Sequence, residues 1–95
     1  MYDFVVINSC RKDFKKLNRE TQKFIRHFCF SKILQNPYIG KKLKGKEFQK
    51  ILKFGIAFKT TDYRIVYKIE KEKLIIIFIM VASRENFYKK LKKRI

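Results

Sequence analysis

ILKFGIAFKTTDYRIVYKIEKEKLIIIFIMVA, residues 51–82, is the stretch on which the fold turns. Its first half alternates with the two-residue period of strands that have one face buried. Residues 51–58 put Phe54, Ile56 and Phe58 on one face and Lys53, Gly55 and Ala57 on the other, with Lys59 continuing the second face. Thr60-Thr61-Asp62 reads as a turn. YRIVYKI, residues 63–69, then sets Tyr63, Ile65 and Tyr67 against Arg64, Val66 and Lys68. Glu70-Lys71-Glu72-Lys73 is a hairpin loop, and residues 74–82 are apolar on both faces, the pattern of a central strand. A three-stranded antiparallel meander follows.

Upstream, residues 2–7 (YDFVVI) are β-branched and aromatic and read as a first strand. Asn8 and Ser9 are placed to cap a helix, with Asp13 in its first turn near the positive end of the dipole and Phe14 and Leu17 on its apolar stripe. Asn18 caps a second helix over residues 19–35, in which Phe24, Ile25, Phe28, Cys29, Ile33 and Leu34 recur at helical spacing. Asn36-Pro37 stops it, because a residue before proline avoids the α region. Residues 38–47 (YIGKKLKGKE) form a basic connector anchored by Leu43, and residues 84–95 a short basic helix with Phe87 and Leu91 on one side. The order is β-α-α-β-β-β with a C-terminal helix. This is one α+β domain over residues 1–95, its N-terminal strand and helical hairpin packed on a small antiparallel sheet.

Composition narrows the function. Lys and Arg number 25 against 8 Asp and Glu, for a net charge of +17 over 95 residues. With 46% of residues hydrophobic, this is not a disordered basic tail. A folded surface of that charge calls for a polyanionic partner: nucleic acid, ribosome, an acidic protein segment or an anionic membrane. The longest apolar run, residues 74–82, falls well short of the ~20 residues a spanning helix needs. A single histidine, His27, and the absence of CxxC or CxxH spacing argue against zinc, and Gly40, Gly45 and Gly55 stand too far apart for a phosphate loop. MYDFVVINS carries no secretory n-region, so a cytoplasmic location and reduced Cys10 and Cys29 are expected. His27 lies off the apolar stripe and reads as a solvated residue.

Taken in order, the strand and F-K-K-L helix, the NP helix stop, KLKG (42–45), DYRIVYKI (62–69), the apolar strand and SRENFY (83–88) resemble the RelE/ParE superfamily of bacterial toxins. The resemblance implies a toxin of a type II toxin–antitoxin pair, neutralised by an acidic antitoxin. RelE-like members are ribosome-dependent mRNA endoribonucleases; ParE-like members inhibit DNA gyrase without nuclease activity. A non-catalytic basic RNA- or ribosome-binding protein is the alternative from outside the family.

Metal-free RNA cleavage needs in-line attack by a 2′-hydroxyl, charge stabilisation on the phosphoryl oxygens, and proton transfer. Arg64 and Arg84 match the family arginines that contact the scissile phosphate, and Arg suits that role through its permanently charged planar fork. Tyr88 matches a tyrosine that stacks on a base or assists proton transfer. RelE proper also carries two alternating lysines on the preceding strand. Gly55 and Ala57 stand there in this chain, which leaves Lys53 and Lys59 as displaced candidates. Glu85 follows Arg84 and reads as a surface salt-bridge partner. Lys41, Lys42, Lys44, Lys46 and Lys50 form the cluster expected to neutralise backbone phosphates. No metal, small-molecule cofactor or membrane contact is expected; the expected partners are an acidic antitoxin, the ribosome and mRNA.

Overall fold

A computed structural model describes residues 2–94. The chain runs β1 (Asp3–Val6), α1 (Asn8–Lys15), α2 (Arg19–Phe24), a π-helical turn (Ile25–Phe30) and α3 (Ser31–Gln35). A connector containing β2 (Lys41–Lys42) then leads to β3 (Ile51–Phe58), β4 (Thr61–Glu70), β5 (Ile75–Ser83) and α4 (Phe87–Arg94). The strands form one sheet in the order β1-β5-β4-β3-β2.

The meander pairs as its alternation dictates. Gly55 opposes Arg64 and Ile56 opposes Tyr63 across β3 and β4, and Arg64 opposes Ala82 across β4 and β5. The β3–β4 turn is tighter than expected: Lys59 takes a left-handed φ of 57° and Thr61 already belongs to β4. The sheet is also mixed rather than wholly antiparallel, because β1 pairs in parallel with β5 from Asp3↔Ile75 to Val6↔Phe78. The α1–α3 segment carries the chain across one face to the far edge, and the meander returns it beside β1 in the same direction. Strand patterning reports burial, not which edge a distant strand joins.

One sheet face packs on the helices through Phe14, Ile25, Cys29, Phe30, Ile33 and Leu34 against Leu52, Ile65, Tyr67, Ile76, Phe78 and Val81. The helical period departs from 3.6 residues here. The π-helical turn brings Ile25, Cys29 and Phe30 inward together, and Phe30 stacks on Phe78 with ring centroids 3.7 Å apart. Phe28, expected on the buried stripe, turns outward and stacks on Phe24 at 5.2 Å instead. Cys10 and Cys29 are free thiols within this core, and burial pushes both up to about 12, so they stay protonated at neutral pH. Asn18 caps α2 by accepting from the Thr21 amide at 2.8 Å. No side chain caps α1, which begins after Ile7, and Asp13 does not serve its dipole. Its buried carboxylate instead accepts from the Val81 amide and from Arg94, charged and otherwise orphaned donors that outweigh a weak dipole contact.

Tyr67 ties the connector to the sheet. Its fully buried hydroxyl donates to the Pro37 carbonyl at 2.6 Å and accepts from the Gly40 amide at 3.0 Å, and burial raises its pKa to about 12. Tyr67→Phe strands both backbone groups. It is expected to lower the unfolding free energy by about 2–3 kcal/mol in chemical denaturation.

Candidate functional site

The second sheet face carries the chemistry. Register stacks its side chains in three rows: Lys53, Val66 and Met80; Gly55, Arg64 and Ala82; then Ala57 and Asp62, continued by Arg84. The third row extends past β5, because the Arg84 amide donates to the Asp62 carbonyl at 2.8 Å. Arg64 and Arg84 are therefore diagonal neighbours on one face, a relation that places residues about 7–8 Å apart, within reach of long side chains. The connector and α4 cover the lower end of this face through Leu43, Phe48, Phe87 and Leu91, packed with Ile51, Val66, Ile79, Met80 and Ala82.

A β-bulge sets that arrangement. Val66 opposes Met80 while Tyr67 opposes Phe78, so Ile79 is the extra residue in β5. The insertion reverses the parity of the strand. Ile76 and Phe78 face the helices, whereas Ala82 and, beyond it, Arg84 face away from them. Without the bulge, Arg84 would point towards the helices.

Small residues leave a cleft over the middle row. It has a volume of about 460 Å³ and is lined by Lys41, Lys53, Gly55, Ala57, Asp62 and Arg64, among others. The Arg64 side chain lies directly over Gly55, where a Cβ would come within 2.8 Å of Nη1. Nη1 donates to the Tyr63 carbonyl at 3.0 Å, and Arg64 forms no ion pair among the described residues. One side of its fork remains available to an anion. Arg84 is 68% exposed, with Nη1 4.0 Å from Asp62 Oδ2, a loose solvated contact worth little. Next to the cleft, Lys53 Nζ sits 5.5 Å from the Tyr88 ring centroid and 5.2 Å from that of Phe87, within cation–π range. Tyr88 is 43% exposed, leaving much of it open to solvent.

The structure thus brings Arg64 and Lys53 together in the cleft, sets Tyr88 beside Lys53, and leaves Arg84 at the edge of the same face. Lys59 stands apart from them. Its left-handed turn conformation breaks the strand parity, and Nζ pairs with Glu20 Oε2 on α2 at 2.6 Å, on the helical side of the sheet. Of the connector lysines, Lys41 reaches the cleft. Lys42 and Lys50 line a separate hollow of about 490 Å³ with Tyr38, and Lys44 and Lys46 are exposed between them. His27 is exposed on the helical face, and Glu85 is exposed with no ion pair among the described residues. Asp62 escaped the sequence reading as a mere turn residue. Its position two before Arg64 in a strand was the available signal, since residues i and i+2 share a face. Among the described residues no group of His, Cys, Asp and Glu is arranged to hold a metal ion, and no helix is long and apolar enough to cross a membrane.

A basic cleft on the open face of a five-stranded mixed sheet, backed by helices on the other side, defines a small α+β fold of the RelE type. The chain belongs to the ParE-like toxins of type II bacterial toxin–antitoxin systems, whose family model matches residues 4–92, and so to the wider RelE/ParE superfamily. Its fold is similar to the toxin in the RelBE2 toxin–antitoxin complex from Mycobacterium tuberculosis, at 24% identity over 87% of this chain and 98% of that one, with a TM-score of 0.72. It is also similar to the isolated RelE toxin of Escherichia coli, at 25% identity over 99% of this chain and 98% of the other, with a TM-score of 0.70. The archaeal RelE–RelB complex from Pyrococcus horikoshii matches at 17% identity over 87% and 94%, with a TM-score of 0.58. No curated protein matches the chain by sequence.

Proposed function

We propose that this toxin is a ribosome-dependent mRNA endoribonuclease acting in the cytoplasm and neutralised by an acidic antitoxin. The observation that supports it is the placement of Arg64 and Lys53 in one cleft, with the Tyr88 ring against the Lys53 ammonium. Arg64 offers its free guanidinium edge to the phosphoryl oxygens, where charge builds during in-line attack by the 2′-hydroxyl. Lys53 stands beside it, where its ammonium contacts the phosphate and shares in neutralising that charge. Tyr88 presents an exposed ring on which the neighbouring base stacks. Arg84 adds positive potential at the rim, and the Lys41–Lys50 connector tracks the RNA backbone, where each phosphate contact steepens the salt dependence of binding.

A second reading rests on a specific departure. Gly55 and Ala57 occupy the strand positions where RelE proper has its lysines, and the matching family model is ParE-like. A gyrase inhibitor without catalysis fits those two facts. Two assays on the purified toxin separate the readings. In a reconstituted translation reaction, fragments of the message are expected, cut on the ribosome and absent when ribosomes are omitted. In a supercoiling assay, gyrase is expected to work unhindered. Intact message together with blocked supercoiling overturns the nuclease reading in favour of the gyrase one. The antitoxin complexes formed by the RelE structures similar to this chain support an antitoxin partner here.

A further inference from the structure

The far end of α4 is fastened to α1 by an ion pair between Arg94 and Asp13. β1 stops pairing at Phe78, with the Ile7 amide on the Phe78 carbonyl at 3.2 Å, so the β1-side edge of β5 is uncovered from Ile79 onward. The bulge lies at that point, and an uncovered strand edge beside buried core must find partners for its backbone groups. Asp13 and Arg94 supply them. Asp13 Oδ2 accepts from the Val81 amide at 3.1 Å, and Arg94 Nη1 donates to the Ile79 carbonyl at 3.0 Å. The two side chains close on each other in a two-pronged pair, Nη1 to Oδ2 at 2.8 Å and Nη2 to Oδ1 at 2.6 Å. Arg94 is held from α1 and β5 at once, and the Asp13 carboxylate raises its guanidinium pKa further.

That geometry bears on the candidate site. The eight residues of α4 are too few to hold a helix alone, so its position comes from docking. Phe87 and Leu91 dock one side, and Arg94 pins the last turn. Tyr88 lies between these anchors, with its ring against Lys53.

We propose that the Asp13–Arg94 pair is a positioning device for the site: by pinning the end of α4 to the bulged edge of β5, it fixes the Tyr88 ring against the Lys53 ammonium. Neither residue touches RNA. The proposal rests on the functional reading of the Lys53–Tyr88 cleft, but its geometric core is measurable without RNA.

Two variants test it, Arg94→Gln, which removes the ion pair, and Arg94→Lys, which keeps the charge and loses the fork. Lys53 side-chain protons near two aromatic rings carry a ring-current shift in the NMR spectrum of the free toxin. In Arg94→Gln that shift is expected to collapse and the α4 amides to lose exchange protection, while the Phe30 and Phe78 resonances stay in place. On ribosomes, kcat is expected to fall about 10- to 100-fold, the scale on which small misplacements act. KM is expected to rise as well, because the displaced Tyr88 ring and Lys53 ammonium also hold the bound base and phosphate. Arg94→Lys should fall between wild type and Arg94→Gln in both shift and kcat. A Lys53 shift unchanged in Arg94→Gln overturns the positioning role whatever the kinetics. A wild-type toxin that cleaves nothing, combined with a collapsed shift in the variant, overturns the nuclease reading and leaves the positioning role standing.

Discussion

Arg64→Ala is expected to reduce mRNA cleavage on translating ribosomes by about 10²–10³-fold, the loss typical of removing one preorganised donor from a developing oxyanion. Stability should scarcely change. Arg64 makes one internal hydrogen bond and forms no ion pair among the described residues, so alanine leaves no buried charge behind. Arg64→Lys should recover only part of the rate, since a point charge reaches one phosphoryl oxygen where the guanidinium fork reaches two. Arg84→Ala should cost less than Arg64→Ala, because Arg84 is mostly solvated and shares its charge with Asp62. Single-turnover cleavage of a defined message, with melting temperatures alongside, checks the set. A rate for Arg64→Ala within threefold of wild type would remove this arginine from the reaction.

The largest loss of stability is expected at the β1-side edge of β5. Asp13→Ala leaves the Arg94 guanidinium without its carboxylate and the Val81 amide without an acceptor, both in a partly or wholly buried setting. Breaking one side of a buried ion pair costs about 3–5 kcal/mol. That is a large share of the roughly 5–15 kcal/mol by which a domain is stable, and should lower Tm by at least about 12 °C. Removing both partners is a different perturbation. Asp13→Leu combined with Arg94→Met is expected to regain much of the loss, because no uncompensated charge stays inside. The Val81 amide and Ile79 carbonyl still lack partners, so recovery should stop about 1–3 kcal/mol short. Thermal and chemical unfolding of the single and double variants reads this directly. A double variant no more stable than Asp13→Ala would mean that packing, not charge pairing, accounts for the loss.

Much of the site was legible because strands encode faces. Alternation in residues 51–58 and 63–69 put Lys53, Gly55 and Ala57 on one side, with Arg64 across from them, and the observed register keeps them there. The caps and stops of α2 and α3 were legible for a similar reason: Asn18 and Asn36-Pro37 act on the backbone within a few residues of themselves. Lys59 was misplaced because parity ends where a turn residue adopts a positive φ, and the lysine then met Glu20, 39 residues away in the chain. Asp13 was misread for the converse reason. Its sequence neighbours suggested a helix dipole, while its actual partners lie 68 and 81 residues downstream.

By itself, the order of residues determined the α+β class, the meander, the split of each patterned strand into an apolar and a basic face, and a positive charge that calls for an anionic target. These are local or additive properties, set by side-chain period and by counting. Tertiary structure alone decided that β1 joins β5 in parallel, that a π-helical turn carries Phe30 onto Phe78, and that a bulge at Ile79 brings Arg84 round to the side of Arg64. Residues 74–82 are apolar in both parities, so a one-residue slip there changes no hydrophobic pattern. Only the competition of backbone groups for partners across the assembled sheet selects the register that builds the site.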